Sequence, residues 1–310
     1  MEGGYHGSYE LAEVSLVPRP NECGPLEHPT ATAVDASFPD SVLHDTIICP
    51  YNEPQIAANL LQQHGDDIAA VIVEPVLGSM GMVPASREFL RTLREQTSAR
   101  GIVLIFDEVI TLRLSDGGAQ AQHGIEPDLT CMGKIIGGGL PVGAVGGRTE
   151  FMQLFSPDQA QPVMHASTFS GNALTMAAGL AAMQHYDDSD AIRLNRLGER
   201  LRQGFNQIFR DAGIRAKAQG AGSLSNILFT VEPVTNARQT TQAMVDAGHV
   251  GKLLHLTMLR HGVMSATRLM YCISTPMGEA EIDQAVAALQ ATVSELLPFI
   301  EKERPALLAA

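Results

Sequence analysis

The stretch from Gly101 to Gly147 constrains the fold more than any other part of the chain. It opens with an apolar run, Ile102 to Phe106, which an acidic pair closes at Asp107. An apolar run this short, bounded by a glycine and by charge, is typical of a strand buried on both faces of a mostly parallel sheet. Ligands of open α/β sheets bind at the carboxyl ends of such strands, so the sequence predicts a site near Asp107.

A lysine occupies an unusual position in the same stretch. Lys134 follows a second apolar strand signal at 129–132 and lies between Gly133 and the triple glycine at 137–139. Glycine lets the backbone approach a ligand closely because it has no Cβ. A lone lysine is usually a solvated surface residue, but this setting predicts that the amine of Lys134 and the carboxylate of Asp107 share one crevice.

Strand and helix patterns alternate along the first part of the chain. Residues 68–73 predict another buried strand, and helices are predicted over 53–64 and 87–100. The second helix is expected to be capped by Ser86 and stopped by Gly101. Repetition of strand, helix and strand predicts the α/β class with a largely parallel sheet.

The pattern changes towards the C-terminus. Strands and helices are predicted there at 224–231, 238–261, 269–275 and 279–302. We therefore expect two domains, a large α/β domain over 1–186 and a smaller α+β domain over 187–310.

Charge and cysteine content exclude several classes of function. The net charge of −13 argues against nucleic-acid binding, which needs clustered Lys and Arg. The four cysteines are far apart and show no metal-ligand spacing, so neither a metal site nor a disulfide framework is predicted. No apolar run approaches the roughly 18 residues of a membrane span. We expect a cytoplasmic protein that acts on small molecules and contacts neither membranes nor nucleic acids.

The acid and the amine suggest a cofactor. A buried aspartate is costly without a positive partner, and a protonated pyridine nitrogen would provide one. A nearby lysine could bind an aldehyde on the same ring. A cofactor that carries both the ring nitrogen and the aldehyde is pyridoxal 5'-phosphate (PLP). Asp107-Glu108 also matches the magnesium-binding strand of P-loop ATPases, but no GxxxxGKS or GxxxxGKT string lies upstream.

Several strings carry a resemblance to a known family. They are Tyr5-His6-Gly7, VIVEPVLGSMGMVP, LIFDEVITLR, GIEPDL, MGKIIGGGLPVGAVGGR and HASTFSGNAL. With them the chain resembles the class III (omega-type) aminotransferases, and most closely the members similar to glutamate-1-semialdehyde 2,1-aminomutase. The resemblance implies PLP fold type I, with a mostly parallel sheet in the large domain and a smaller C-terminal α+β domain.

The resemblance also implies roles for residues at the cofactor. Lys134 would bind PLP covalently and move protons, and Asp107 would pair with the ring nitrogen. Val109 would pack under the ring and Tyr5 would stack on its other face, with His6 beside Tyr5 in the cofactor-binding motif. Without the resemblance, Tyr5 would be better explained as a core aromatic residue and Val109 as an ordinary strand residue.

Two further residues complete the implied site. Thr168 would reach the phosphate of a neighbouring subunit's cofactor, which implies a homodimer with shared active sites. Glu74 would lie near the ring. The alternative for Thr168 is a helix cap before Gly171.

The chain departs from the family pattern at its start. Relatives carry a long segment before the Tyr-His-Gly motif, including a Ser/Gly/Thr turn at a helix N-terminus that holds the cofactor phosphate. That turn is absent from this sequence. We expect an N-terminally incomplete large domain, weak cofactor binding by this chain alone and exposed apolar surface.

The second departure concerns the reaction. Aminomutases of the family keep an acidic residue where this chain has GVMSATRLMYCIS at 262–274, and an amide side chain where it has Ser79. Both differences favour transfer of an amino group from an amino acid or amine donor to an oxo acid or aldehyde acceptor. The alternatives are the intramolecular transfer of glutamate-1-semialdehyde 2,1-aminomutase and a truncated, non-catalytic paralogue.

Overall fold

The structure, a computed structural model, describes residues 1–309. The strands are β1 (Ala70–Val73), β2 (Val76–Leu77), β3 (Val83–Pro84), β4 (Val103–Asp107), β5 (Leu129–Gly133), β6 (Gly143–Gly147), β7 (Lys217–Ala221), β8 (Leu224–Leu228) and β9 (Met270–Cys272). The α-helices are α1 (Asp40–His44), α2 (Pro54–His64), α3 (Arg87–Arg100), α4 (Gly118–His123), α5 (Thr149–Met152), α6 (Ala173–Gln184), α7 (Asp188–Asp211), α8 (Ala237–Ala247), α9 (Val250–Arg260) and α10 (Glu279–Glu303).

Contacts divide the chain into two compact units. The central unit comprises Glu53–Pro75 and Ser86–Ala191. The terminal unit comprises Met1–Asn52, Val76–Ala85 and the chain from Ile192 onward. The N-terminal residues thus group with the C-terminal part of the chain, and the predicted domain boundary at residue 187 stays a prediction.

A four-stranded sheet forms the middle of the central unit. Its order is β1-β4-β5-β6, with β1, β4 and β5 parallel and β6 antiparallel to β5. This architecture confirms the predicted α/β class with a mostly parallel sheet. The sequence predicted that β4 is buried on both faces, and the structure shows full burial on one face only. Leu104 and Phe106 are fully buried, whereas Val103 and Ile105 are partly exposed. Successive side chains of a strand point to opposite faces, so the two faces of the sheet are covered unequally in this chain.

Helix α3 begins and ends as the sequence predicts. The Ser86 hydroxyl accepts a hydrogen bond from the backbone N–H of Phe89 at 3.1 Å, which caps the helix. At the other end, Gly101 adopts a φ of 68°, a left-handed conformation that glycine tolerates well. Phe89, Leu90 and Leu93 are fully buried, and burial of each side chain contributes about 1.5–3 kcal/mol.

One buried carboxylate connects several elements of the central unit. Asp128, which is 2 % exposed, accepts hydrogen bonds from the Leu104 backbone N–H at 2.7 Å and from Arg94 at 3.0 Å. Its other oxygen accepts from Arg148 at 2.8 Å. Burial alone would raise the pKa of Asp128, but the hydrogen bonds from Arg94, Leu104 and Arg148 outweigh it and the pKa is lowered. Asp128 therefore stays ionised and fastens α3, β4 and the residue after β6 to the start of β5.

The terminal unit contains an antiparallel sheet of order β7-β8-β9. Every residue of β8 is buried, and Phe205 of α7 packs edge-to-face on Tyr271 of β9 with ring centroids 5.3 Å apart. The single helix predicted over 238–261 is wrong, because α8 ends at Ala247 and α9 begins at Val250. Gly248 lies between them with a φ of 53°, a conformation that ends a helix.

Within residues 1–309, no helix combines the length and the apolar character needed to cross a lipid bilayer. The same part of the chain contains no group of three or more His, Cys, Asp or Glu side chains placed to hold a metal ion.

Candidate functional site

The carboxyl ends of three neighbouring parallel strands carry three of the predicted site residues. Glu74 follows β1, Asp107 ends β4 and Lys134 follows β5. The register pairs Val73 with Phe106, so Glu74 and Asp107 occupy adjacent positions at the strand ends. It also pairs Asp107 with Cys131, and Lys134 lies just beyond Cys131 on that strand. The three side chains therefore belong to one edge of the sheet, where open α/β sheets bind ligands.

Asp107 is held firmly at this edge. Its side chain accepts a hydrogen bond from the backbone N–H of Val109 at 3.0 Å, and the residue is 6 % exposed. The next backbone N–H, that of Glu108, donates to the Cys131 carbonyl oxygen at 2.9 Å. The backbone after Asp107 is thus tied to β5. A carboxylate fixed in such a buried position would stabilise a cationic atom of a ligand.

Cys131, the neighbour of Asp107 on β5, is not a candidate nucleophile. Burial raises the pKa of its thiol, and the negative charge of Asp107 raises that pKa further. The thiol therefore stays protonated at neutral pH, and the thiolate is the reactive form of cysteine.

The backbone of Lys134 is strained. Lys134 begins the short 3-10 helix Lys134–Gly137 and has a φ of 48°, in the left-handed region that residues other than glycine seldom adopt. Such a conformation costs on the order of 1–3 kcal/mol and persists where surrounding structure enforces it, often at functional sites. The Lys134 side chain is exposed, and its ammonium makes no hydrogen bond or ion pair within residues 1–309. This amine is therefore available to a ligand.

Helix α6 packs directly on the turn that carries Lys134. A Cβ added to Gly138 would lie 2.2 Å from the carbonyl oxygen of Ala178, and one added to Gly179 would lie 2.2 Å from that of Ile136. The sequence suggested that Gly138, as part of the triple glycine at 137–139, lets the backbone approach a ligand. At Gly138 the close neighbour is a helix of the protein itself, and the contact supports the strained turn.

Val109 lies next to the residue that precedes Lys134. A Cβ added to Gly133 would meet the Cγ1 of Val109 at 3.3 Å, which is a tight contact. Val109 is half-buried, so part of its apolar surface is accessible. Its position beneath a cofactor ring stays a prediction.

Thr168 lies in the turn before α6 and is exposed. The side chain of Asn172 accepts hydrogen bonds from the backbone N–H groups of Leu174 at 3.0 Å and Thr175 at 3.2 Å. Asn172 therefore caps α6, and the alternative role of Thr168 as the cap is wrong. Its contact with the phosphate of a neighbouring subunit's cofactor stays a prediction.

Tyr5 and His6 belong to the terminal unit, whereas the other five predicted site residues belong to the central unit. Tyr5 is 39 % exposed, and its hydroxyl lies 3.4 Å from the Ser8 hydroxyl. The alternative role of Tyr5 as a core aromatic residue is therefore wrong. Its ring is accessible for stacking.

Comparison with known proteins shows the family to which the chain belongs. The sequence profile of the family described as aminotransferase class-III matches residues 1–292. The chain belongs to the class-III aminotransferase family. This class-III chain is 40 % identical to a glutamate-1-semialdehyde 2,1-aminomutase from Thermomicrobium roseum over 261 residues, which are 83 % of this chain and 60 % of that protein.

Solved structures of class-III relatives agree with the fold. An omega-transaminase from Sphaerobacter thermophilus superposes with a TM-score of 0.85 at 40 % identity, covering 94 % of this chain and 67 % of that one. A structure described as a transaminase with PLP bound superposes with a TM-score of 0.84 at 33 % identity, covering 96 % of this chain and 67 % of that one. Fold type I, predicted from the resemblance, is confirmed. This class-III chain spans only about 60 % of the length of the Thermomicrobium aminomutase that it matches.

The class-III site contains one organising residue whose role the sequence did not reveal. Glu108 is fully buried and accepts hydrogen bonds from the backbone N–H groups of Ala119 at 3.0 Å and Gln120 at 2.6 Å, and from the Thr111 hydroxyl. Burial raises the pKa of Glu108 in spite of these donors. Its carboxylate ties the loop after Asp107 to the start of α4, so both of its oxygens are already occupied by donors of the protein. The sequence shows two adjacent acidic residues, Asp107 and Glu108, but it does not show which of the two carboxylates points into the protein.

Proposed function

We propose that the protein is a PLP-dependent aminotransferase that moves an amino group from an amino acid or amine donor to an oxo acid or aldehyde acceptor. The observation that carries this proposal is the placement of Asp107 and Lys134 at adjacent carboxyl ends of parallel strands. Family membership and the two transaminase structures support it.

The residues at the sheet edge fit PLP by their chemistry. The buried carboxylate of Asp107 suits a protonated ring nitrogen, the exposed amine of Lys134 suits an aldehyde, and the half-buried side chain of Val109 suits an apolar ring face. When bound, PLP supplies an aldehyde for covalent attachment and a ring that withdraws electrons from the substrate.

The protein's own groups then have distinct tasks. Lys134 Nζ would hold the cofactor through its aldehyde and would serve as the base that takes the proton from the donor's amine-bearing carbon. Asp107 would keep a proton on the ring nitrogen, because a carboxylate beside that nitrogen favours its charged form. Tyr5 would stack on the ring with His6 and Glu74 near it, and Thr168 would bind the phosphate of the neighbouring subunit's cofactor.

Two reactions of the family are open, and transamination between two substrates is the one we favour. Residues 262–274 contain no acidic side chain, and Ser79 replaces the amide of the aminomutases. The second candidate is intramolecular transfer on glutamate 1-semialdehyde, which the similarity to the Thermomicrobium aminomutase supports.

Substrate incubation separates the two reactions. Protein of full natural length, supplied with PLP, should form alanine or glutamate when given an amine donor with pyruvate or 2-oxoglutarate. It should form no aminolevulinate from glutamate 1-semialdehyde. Chromatography of both mixtures measures the products, with Lys134→Ala as the control for catalysis by free PLP. Aminolevulinate as the main product would establish the aminomutase reaction, and no product in either mixture would favour the non-catalytic paralogue.

We further propose that the protein is a homodimer and that α6 forms part of the interface. The twelve residues of α6 include no charged side chain, and only a narrow stripe through Thr175 and Gly179 is buried within the chain. Leu174, Met176 and Leu180 are exposed on its outer surface. A helix that is apolar on all sides is normally buried, and a second copy of this chain would cover it next to the turn that holds Thr168.

Leu180→Glu is expected to weaken the dimer at least about tenfold, because association would bury a charge. Leu180 is 62 % exposed in the single chain, so the substitution should leave the fold intact. Light scattering across a dilution series measures the dissociation constant. Val245→Glu is the matched control, since Val245 is an exposed apolar residue (59 %) on α8 of the terminal unit. A monomeric wild type, or equal dissociation constants for wild type and Leu180→Glu, would contradict the proposal.

We also propose a cytoplasmic location. None of the four cysteines, Cys23, Cys49, Cys131 and Cys272, forms a disulfide within residues 1–309. Free thiols are typical of reducing compartments.

A further inference from the structure

A buried ion pair joins the beginning of the chain to the start of α8. The Glu2 side chain is 0 % exposed, and both of its oxygens accept hydrogen bonds from the Arg238 guanidinium, Nε to Oε2 at 2.9 Å and Nη2 to Oε1 at 3.0 Å. This bidentate ion pair fixes the orientation of the Glu2 carboxylate as well as its distance from the guanidinium. The Arg238 side chain is itself mostly buried.

The same guanidinium binds a second stretch of chain. Arg238 Nη1 donates to the carbonyl oxygen of Gly24 at 2.7 Å, and Nη2 also donates to that of Cys23 at 3.0 Å. One side chain therefore holds both ends of the segment 2–24, which contains the Tyr5-His6-Gly7 motif. Lysine could not replace it, because an ammonium lacks the planar set of donors that makes four such bonds possible.

The backbone next to Glu2 is equally constrained. The Glu2 N–H donates to the Cys49 carbonyl oxygen and the Gly3 N–H to the Ser15 carbonyl oxygen, both at 2.9 Å. Gly3 has a φ of 82°, and a Cβ at this position would lie 2.3 Å from the Cβ of Ala237. The chain thus lies directly on the start of α8, and the anchored residues precede Tyr5 by only two positions.

We propose that Arg238 is a positioning residue that holds the Tyr5-His6-Gly7 motif in place for the cofactor. This inference rests on the proposed function, in which Tyr5 stacks on the PLP ring. Tyr5 itself is exposed, whereas the three residues before it include Glu2 and Gly3, which are buried and hydrogen-bonded. Burying an ion pair is costly, and the bidentate pairing of Glu2 with Arg238 holds this part of the chain in one definite geometry.

Hydrogen exchange tests the anchoring directly. In Arg238→Met, the backbone amides of residues 1–24 should exchange at least about tenfold faster than in wild type, since their anchor is lost. Arg200→Met is the matched control, because Arg200 makes a similar two-pronged bond to Asp283 on the exposed surface of the same unit. The double variant Glu2→Gln/Arg238→Met avoids leaving an unpaired buried charge and keeps the test valid if Arg238→Met fails to fold. Unchanged exchange in residues 1–24 overturns the proposal, whether or not PLP binds.

A double-mutant cycle on PLP affinity tests the link to Tyr5. Arg238→Met should lower the affinity for PLP about tenfold, the order expected for a lost aromatic stack, and Arg238→Lys should restore little of it. In a Tyr5→Ala background the same substitution should have almost no effect, because there is no longer a ring to position. An absorbance titration with PLP measures the four proteins of the cycle and Arg238→Lys. Equal losses of affinity in both backgrounds would mean that Arg238 acts only on overall stability and would overturn the proposal.

Failure of the wild type to bind PLP would instead count against the proposed function, and the exchange experiment would still decide the role of Arg238.

Discussion

Lys134→Ala is expected to abolish covalent binding of PLP and to lower the rate of amino-group transfer by about 1000-fold or more, since both the attachment point and the proton-moving base are lost. The strained φ of Lys134 and its exposed amine at the sheet edge are the observations behind the proposal that Lys134 is the attachment point. Reduction with borohydride followed by peptide mass spectrometry should locate the pyridoxyl group on Lys134 in wild type. The visible absorbance of the bound cofactor should disappear in the variant.

Lys252→Ala is the control for this experiment. Lys252 is an exposed lysine on α9 of the terminal unit, so its loss should change neither labelling nor rate. Labelling that persists in Lys134→Ala, or that is found mainly on another lysine, would refute the assignment of Lys134.

Asp107→Asn is expected to slow the reaction by about 100- to 10,000-fold while PLP stays attached to Lys134. An amide is neutral, so it would not stabilise a proton on the ring nitrogen as a buried carboxylate would. The hydrogen bond from the Val109 N–H can still be accepted by the amide oxygen, so the local structure should persist. Steady-state rates with a saturating amine donor, together with the borohydride labelling, separate loss of chemistry from loss of cofactor.

Asp66→Asn provides the matched control, because Asp66 is an exposed aspartate in a turn of the same unit. Its rate should equal that of wild type. If Asp107→Asn retained the wild-type rate with PLP attached, Asp107 would not be the partner of the ring nitrogen.

The strands and helices of the central unit were predictable because their causes are local. The apolar run before Asp107 forms β4, and the Ser86 cap and the Gly101 stop define α3 within a residue. Each of these features depends on neighbours within a few residues, which the sequence displays directly. Gly248 shows the limit of such patterns: one apolar periodicity ran through 238–261, yet a single left-handed glycine divides it into two helices.

Features that depend on distant residues were not predictable. Glu108 and Asp107 are adjacent in the sequence, but only the fold directs Glu108 towards the start of α4 and leaves Asp107 at the sheet edge. The pair between Glu2 and Arg238 joins residues more than two hundred positions apart, with no periodic signal to announce it. The glycines beside Lys134 were recognised from the sequence, although their contact with α6 was not.

The sequence by itself determined the chemistry and the order of the parts. It contains the acid, the lysine and the buried strand runs, and its strings were sufficient to place the chain among the class-III aminotransferases. The tertiary structure decided which of these groups share a surface. Parallel pairing of β1, β4 and β5 puts Glu74, Asp107 and Lys134 at one edge, because strands joined by crossover helices all end on the same side of a sheet. Strand runs alone specify neither the order nor the register of that pairing, which the packing of the whole unit selects.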